Sequence, residues 1–168
     1  SAVMISVNTD GSMSQITTGG VVTVVAAAAT VTTAARLSIW QSSPILIIDP
    51  TFGYFSWDGT TFTTIDATRL GSSIAVFEGR VWTARNRTIS YTSPNTFNGF
   101  VPGDGAGSTI ITDDAFQGNV TQLYSAVEQL WVIGNSAIEA ISNVSATGVA
   151  PSVVTTFTIT NIVTNVGT

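Results

Sequence analysis

Val81–Ser93 (VWTARNRTISYTS) and Leu130–Ser142 (LWVIGNSAIEAIS) align with each other without a gap, and they decide the fold of this chain. Each segment starts with a short run that carries a tryptophan, passes through an asparagine and ends in a second apolar run. Asparagine tolerates the left-handed backbone conformation of tight turns. The two segments therefore predict one unit twice: a strand with a large aromatic, a tight turn and a return strand. The identical positions lie 49 residues apart: Trp82 and Trp131, Asn86 and Asn135, Ile89 and Ile138, Ser93 and Ser142.

Most of the remaining chain has the same strand character. Short runs rich in valine, isoleucine, threonine and aromatics alternate with turn pairs such as Asp10-Gly11, the pattern of strands joined by turns. No run repeats apolar residues with a helical period. Only Ala26–Ala29 competes as a helical turn, and the surrounding valines and threonines favour strand. The predicted strands are Met4–Val7, Val21–Ala26, Arg36–Trp40, Ile45–Ile48, Tyr54–Trp57, Phe62–Ile65, Ser73–Phe77, Val81–Arg85, Thr88–Thr92, Gln122–Ser125, Leu130–Ile133, Ala137–Ile141 and Val153–Val163.

Two glycine-containing pairs predict tight hairpins between consecutive strands. Asp58-Gly59 follows the aromatic run Tyr54–Trp57, and Glu78-Gly79 precedes the first tryptophan segment. Because glycine adopts the positive φ that hairpin turns require, both pairs favour a chain reversal at that point. Consecutive hairpins of this kind make an antiparallel meander.

A repeat near 49 residues is typical of propeller blades, each of which is a four-stranded sheet. At that length the 168 residues supply roughly three and a half blades, whereas propellers close with four to eight. We therefore expect an all-β chain whose antiparallel meanders form propeller-like blades, an incomplete portion of a larger propeller. The expected organisation is N-terminal strands over 1–35, blade repeats over 36–150 with a long loop near 93–118, and a C-terminal strand segment over 151–168.

The composition excludes several kinds of catalysis within this chain. The sequence contains no cysteine, histidine or lysine, which removes thiolate chemistry, the commonest general base and any Ser–His–Asp arrangement. Charged residues make up only 9% of the chain, against roughly 25% in ordinary soluble domains. That balance suits a β-rich protein whose neighbours cover its surface in a large assembly, and it also suits a secreted adhesin. We expect no enzymatic activity, no cofactor and no metal.

The charge pattern argues against broad binding of nucleic acid. The net charge is −5, whereas phosphate binding needs clustered positive charge. Arg80, Arg85 and Arg87 form a local basic cluster, which we expect on the exposed faces of a hairpin. Contact with nucleic acid is therefore expected to be at most incidental, through a channel.

The most apolar stretch covers residues 20–35 and is interrupted by four threonines. It is shorter than the roughly 20 apolar residues that a membrane span needs. We interpret it as a buried strand and expect no membrane span.

The acidic and glycine-rich segments offer little chemistry. Asp113-Asp114 is the only adjacent carboxylate pair, and consecutive strand residues point to opposite faces. With Asp104 it is a candidate calcium loop, although the spacing matches no EF-hand and a solvated loop is the simpler interpretation. Gly103–Gly107 lacks the lysine of a phosphate-binding loop. No residue is assigned to a catalytic, cofactor or metal site.

The four tryptophans are candidates for sugar binding, but Trp82 and Trp131 occupy equivalent repeat positions, where core packing is the better interpretation. Ser56–Phe62 comes near the Asp-box turn of propeller sialidases, Ser-x-Asp-x-Gly-x-x-Trp, but lacks the residue between Asp and Gly. An Asp box is itself a structural turn. It is no evidence for an active site.

A set of short segments spread from Leu37 to Ser142 carries a family resemblance: LSIWQ at 37–41, IIDP at 47–50, GY at 53–54, WDG at 57–59, VFEGRVW at 76–82, YTSP at 91–94 and LWVIG at 130–134. They resemble segments of propeller-containing virion proteins of tailed bacteriophages. These are components of the phage neck and tail, similar to the tail nozzle and packaged-DNA stabilisation proteins of short-tailed phages. The resemblance implies a ring-forming virion component with no catalytic residues to carry over. Members of that family are usually much longer than this chain.

Three functions follow from these observations. The first is a structural virion protein of a bacteriophage tail or neck assembly, located in that region of the virion. It would act as a homo-oligomeric ring that contacts portal, adaptor or tail components. The alternative is a secreted propeller-type binding module, an adhesin or a carbohydrate-binding domain. A weaker third is a glycosidase-like propeller enzyme whose catalytic part lies elsewhere.

Overall fold

The computed structural model describes residues 3–114 and 116–164, and the regular structure in these residues consists of β-strands alone. Most connections are short turns, with longer ones after the third, tenth and eleventh strands. The strands are β1 Val3–Val7, β2 Met13–Thr17, β3 Val22–Ala26, β4 Arg36–Ile39, β5 Ile45–Asp49, β6 Gly53–Trp57, β7 Phe62–Asp66, β8 Ser73–Phe77, β9 Arg80–Arg85, β10 Thr88–Tyr91, β11 Gly107–Ile110, β12 Val120–Ala126, β13 Gln129–Gly134, β14 Ala137–Thr147 and β15 Val154–Thr164.

The strands form antiparallel sheets in which each strand pairs with its neighbours along the chain. β1, β2 and β3 make a three-stranded sheet, and β4–β7, β8–β11 and β12–β15 make three sheets of four strands. A four-stranded antiparallel meander is the unit of a propeller blade. The predicted fold class, all-β with meanders that form propeller-like blades, is therefore confirmed. That the chain is a portion of a larger propeller stays a prediction.

Two compact units divide the chain, Ser1–Gly71 and Ser72–Thr168. The first unit holds the three-stranded sheet and the first four-stranded sheet, with a core that includes Met13, Ile47, Phe55 and Trp57. The second unit holds the other two sheets. Its core joins residues of both sheets, so these two sheets pack on each other through apolar side chains.

Aromatic side chains dominate part of the core of the second unit. The ring of Trp82 lies 4.9 Å from that of Tyr91 and 5.7 Å from that of Phe157, measured between ring centroids. Tyr91 and Phe157 meet edge to face at 5.6 Å. Such tilted and edge-to-face pairs are the favoured aromatic geometries. They fix β15 of the last sheet against β9 and β10 of the preceding one.

The strand register repeats with the spacing found in the sequence. Ala75 of β8 lies opposite Trp82 of β9, and 49 residues further on Tyr124 of β12 lies opposite Trp131 of β13. The third strands, β10 and β14, pair with the second strands in the same matching register. The predicted repeat is therefore confirmed for the first three strands of these two sheets.

Both repeat tryptophans make the same hydrogen bond. The indole Nε1 of Trp82 donates to the carbonyl oxygen of Phe77 at 3.1 Å, and that of Trp131 donates to Ala126 at 3.2 Å. Each bond reaches back five residues, to the last residue of the preceding strand. The predicted core packing is confirmed for Trp82, which is fully buried in the core of the second unit, whereas Trp131 is only half-buried and is not part of that core.

The turns match the sequence patterns only in part. Glu78 and Gly79 have φ values of 48° and 62°, as a tight hairpin requires, and Asn86 has a φ of 56°. Asn135 does not adopt positive φ. The turn at Asp58-Gly59 spans four residues, because Trp57 pairs directly with Phe62.

Two strands were not predicted, and one segment was misjudged. β2 was missed, and β11 lies inside the region expected to be a long loop near 93–118. Residues 20–35, interpreted as a buried strand, contribute β3, whose Val22 and Val24 are 62% and 66% exposed. This prediction of burial is wrong because β3 is an edge strand of a three-stranded sheet. Ala26–Ala29, the competing candidate for a helical turn, contains the end of β3 and part of a turn. Among the described residues, no helix is long and apolar enough to cross a membrane.

Candidate functional site

Several aspartates of the chain stabilise turns. Asp49, at the end of β5, is fully buried. Its Oδ1 accepts hydrogen bonds from the backbone N–H of Thr51 at 2.8 Å and Phe52 at 3.0 Å. Its Oδ2 accepts from the N–H and hydroxyl of Thr32 at 2.6 and 2.8 Å. A buried carboxylate is tolerated when it is hydrogen-bonded in this way, so Asp49 is a structural residue.

Three further aspartates make the same kind of turn bond to residues two or three positions later. Asp10 accepts from Ser12, Asp58 from Thr60 and Thr61, and Asp66 from Thr68. The hydrogen bonds lower the pKa of each of these carboxyls below its usual range. They are therefore ionised at neutral pH and cannot serve as general acids.

The candidate calcium loop does not assemble. Asp113 accepts a hydrogen bond from the side-chain amide of Asn161. Asp104 forms a turn whose backbone N–H donates to Val101. Within residues 3–114 and 116–164, no three His, Cys, Asp or Glu side chains lie close enough to hold a metal ion.

Glu139 is the unusual carboxylate of the chain. It lies in the middle of β14, is 2% exposed, and points to the core side with Ala137 and Ile141. Its carboxylate makes no hydrogen bond to the described residues. Burial, together with repulsion from Asp113, raises the pKa of Glu139, and attraction to Arg87 opposes the rise.

The three clustered arginines do not share an exposed face. Arg80 is 2% exposed, which contradicts the expected exposure. Its Nη1 donates to the carbonyl oxygens of Thr92 at 2.5 Å and Gly105 at 2.8 Å, and its Nη2 donates to the hydroxyl of Thr155 at 2.8 Å. Tyr91 lies under the guanidinium at 5.7 Å. Arg80 is thus a core cation that ties the glycine-rich segment and β15 to β9.

The other two arginines differ from Arg80. Arg87 is half-buried, and it donates to the carbonyl oxygens of Ile111 and Asp113 at 2.7 Å each. Arg85 is exposed. Because two of the three guanidinium groups are bonded to backbone carbonyls, the cluster offers no joint surface for phosphate.

Uncharged sheet edges are the main surface feature of the chain. No charged residue occurs from Gly11 to Ala35 or from Ala140 to Thr168. These two stretches contain β3 and β15, and among the described residues each of these strands has a partner strand on one side only. Natural edge strands are usually protected by lysine, proline or inward charges, and neither β3 nor β15 contains any of these.

The second half of β15 is the most open of these edges. We call Thr158–Val163 the β15 edge, and every residue in it is exposed. Ile159, Ile162 and Val163 are 38%, 41% and 42% exposed. Adjacent strand residues point to opposite faces, so the β15 edge presents apolar side chains on both faces as well as unpaired backbone groups.

The first half of β15, by contrast, is anchored. Phe157 packs on the aromatic core, the Thr155 hydroxyl donates to Gly105 at 2.6 Å, and Val153 just before the strand bridges to Asp104. The β15 edge is therefore held in place by the anchored first half of the same strand. The low charge of the chain is visible in its sequence, but this edge was not predicted; the signal that could have revealed it is the pair of long charge-free stretches.

Comparison of the chain with protein-family models, with curated proteins and with solved structures finds no match in any of the three.

Proposed function

We propose that this chain is a structural, non-enzymatic component of a bacteriophage virion, located in the tail or neck, and that it works by assembly with copies of itself. The blade-like meanders and the resemblance of segments between Leu37 and Ser142 to propeller-containing virion proteins both support this proposal. The observation that carries it is the β15 edge, which is uncharged, apolar on both faces and open along its backbone.

The charge distribution favours copies of this chain as neighbours. The net charge of −5 makes two copies repel each other over most of their surfaces. At the β15 edge that repulsion is reduced, because β15 contains no charged residue and the neighbouring Asp113 carboxylate is hydrogen-bonded to Asn161. A strand that pairs there gains backbone hydrogen bonds and buries apolar side chains on both faces. Repetition of one such contact around an axis makes a ring.

In this function the ring contacts portal, adaptor or other tail components, and nucleic acid passes at most through its channel. The buried Arg80 and the bonded Arg87 support a minor role for nucleic acid, because neither guanidinium is free to bind phosphate.

The experiment that tests this function is quantitative mass spectrometry of purified virions from the source of the gene. We expect the chain in the particles in several copies per portal ring, and portal and terminase genes beside its own gene. Absence of the chain from purified particles would contradict the proposal.

The second candidate function is a secreted propeller-type binding module, an adhesin or a carbohydrate-binding domain. A cleft in the first unit, lined in part by polar side chains, favours this second function. Recovery of the chain from culture medium, but not from particles, would favour this alternative.

A further inference from the structure

A cleft of about 500 Å³ opens in the first unit of the chain. Its walls come from the end of β2, the β4–β5 connection and the β6–β7 turn. The volume lies within the range of about 300 to 1,000 Å³ that is usual for small-molecule sites.

Trp57 lines the cleft and has an unused hydrogen-bond donor. The side chain is only 4% exposed, yet its indole N–H donates to no group in the described residues. This N–H is not completely sealed from solvent. Because Trp57 lines the cleft and its N–H is not sealed from solvent, we infer that the N–H is accessible from that space. Buried indole N–H groups normally have a partner, as that of Trp82 does.

The rim of the cleft supplies further donors and acceptors. Gln15, Ser42 and Ser43 line it, and their side chains make no hydrogen bonds to the described residues. Asp58 uses only its Oδ1 for the turn bonds to Thr60 and Thr61 at 2.8 Å each, which leaves Oδ2 as an acceptor. Beside these polar groups, Ile39 and Ile45 supply apolar wall.

This set of groups selects the chemistry of the ligand. Hydrogen-bond donors, hydrogen-bond acceptors and hydroxyl groups that can act as either lie together within one small volume. A ligand rich in hydroxyl groups can pair with all of them. The Asp58 carboxylate disfavours phosphate and other anions, and no arginine lines the cleft. A single carboxylate among neutral amides and hydroxyls is also a weak site for a cation.

We propose that this cleft binds a neutral saccharide of one or two rings, with the Trp57 indole N–H and Asp58 Oδ2 as its donor and acceptor anchors. The site is independent of the proposed function, because a virion protein and a secreted module can each carry it.

The test is titration of the ¹⁵N-labelled protein followed by the indole N–H signals of the four tryptophans in NMR spectra. The Trp57 signal is identified by its loss in Trp57→Phe, and Trp131→Phe is the matched control. The probes are glucose, galactose, mannose, N-acetylglucosamine, maltose and lactose at millimolar concentrations, with glycerol as a non-specific polyol.

We expect at least one sugar to shift the Trp57 signal saturably while the Trp82 and Trp131 signals stay in place. Trp57→Phe keeps an aromatic ring but removes the donor, so affinity measured by calorimetry should fall about tenfold, the equivalent of one hydrogen bond. Trp131→Phe should leave it unchanged.

Asp58→Asn is the second variant, because asparagine keeps an oxygen for the turn bonds and replaces the free oxygen by a donor. We expect it to weaken sugar binding while the spectrum of the folded protein is retained. The proposal is overturned if no sugar shifts the Trp57 signal, if glycerol shifts it equally, or if Asp58→Asn binds as tightly as the unmodified chain.

Discussion

Replacement of Arg80 by methionine tests how the second unit is held together. The guanidinium joins three separate parts of the chain through the Thr92 carbonyl, the Gly105 carbonyl and the Thr155 hydroxyl. No carboxylate in the described residues lies within ion-pair distance of it. Methionine keeps most of the apolar stem and removes all the donors.

The expected loss follows from the groups left behind. The Thr92 carbonyl has Arg80 as its donor, and an orphaned buried acceptor costs about 1 to 3 kcal/mol. The Gly105 carbonyl keeps the Thr155 hydroxyl as a donor at 2.6 Å, so losing the Arg80 bond costs less free energy there than at Thr92. The lost contact with Tyr91 adds about 0.5 to 2 kcal/mol. Relief of the desolvated charge offsets part of this, which leaves an expected decrease in the free energy of unfolding of about 2 to 4 kcal/mol.

Urea unfolding followed by circular dichroism measures that decrease, and Arg85→Met is the matched control on the same strand. Arg85 is exposed, so its variant should stay within about 0.5 kcal/mol of the unmodified chain. Hydrogen exchange adds a local readout: amides of residues 103–107 should lose protection in Arg80→Met alone. If both variants unfold at the same urea concentration, the role assigned to Arg80 is wrong.

Two further substitutions probe the last sheet. Glu139→Gln should raise the free energy of unfolding at pH 7 and leave it nearly unchanged at pH 4. The reason is that burial and Asp113 raise the pKa of Glu139 in the folded chain, although Arg87 opposes the rise, so the unmodified chain loses stability as the pH rises through that pKa. Thermal unfolding at both pH values measures the effect of the substitution. Equal effects at pH 4 and pH 7 would refute this prediction. Val127 and Glu128 form the β12–β13 turn with φ values of 52° and 58°, a strained geometry for a β-branched residue. Replacing the pair by Asn-Gly should therefore stabilise the chain by about 1 to 2 kcal/mol in urea unfolding, and a decrease would show that the turn is not strained.

The repeated part of the fold was predictable because it depends on local sequence. The tryptophan strand, the turn and the return strand of Val81–Ser93 are neighbours along the chain, and their pattern alone specifies the pairing. β2 and β11 escaped prediction for the opposite reason. Their sequences, MSQIT and GSTI, have few apolar residues, and they become strands because a neighbouring strand offers an edge.

The chemistry of individual side chains was less predictable than the strands. Arg80 is buried because its acceptors come from Gly105 and Thr155, 25 and 75 residues away in sequence, and no local pattern reports such distant partners. The charge-free stretch after Glu139 was visible in the sequence, but only the strand order places it at a sheet edge. The cleft likewise depends on the end of β2, the β4–β5 connection and the β6–β7 turn, which come together in space.

Sedimentation velocity over a series of protein concentrations tests the assembly proposal most directly. Thr160→Lys places one charge at the centre of the β15 edge, where a pairing strand would have to bury it. Thr147→Lys is the matched control, since Thr147 is also exposed but lies outside the β15 edge, where β14 pairs with Val154 at the start of β15. We expect the unmodified chain and Thr147→Lys to associate as concentration rises, while Thr160→Lys stays monomeric with an unchanged circular dichroism spectrum. An unmodified chain that stays monomeric at every concentration, or a Thr160→Lys variant that associates equally well, would contradict the proposal.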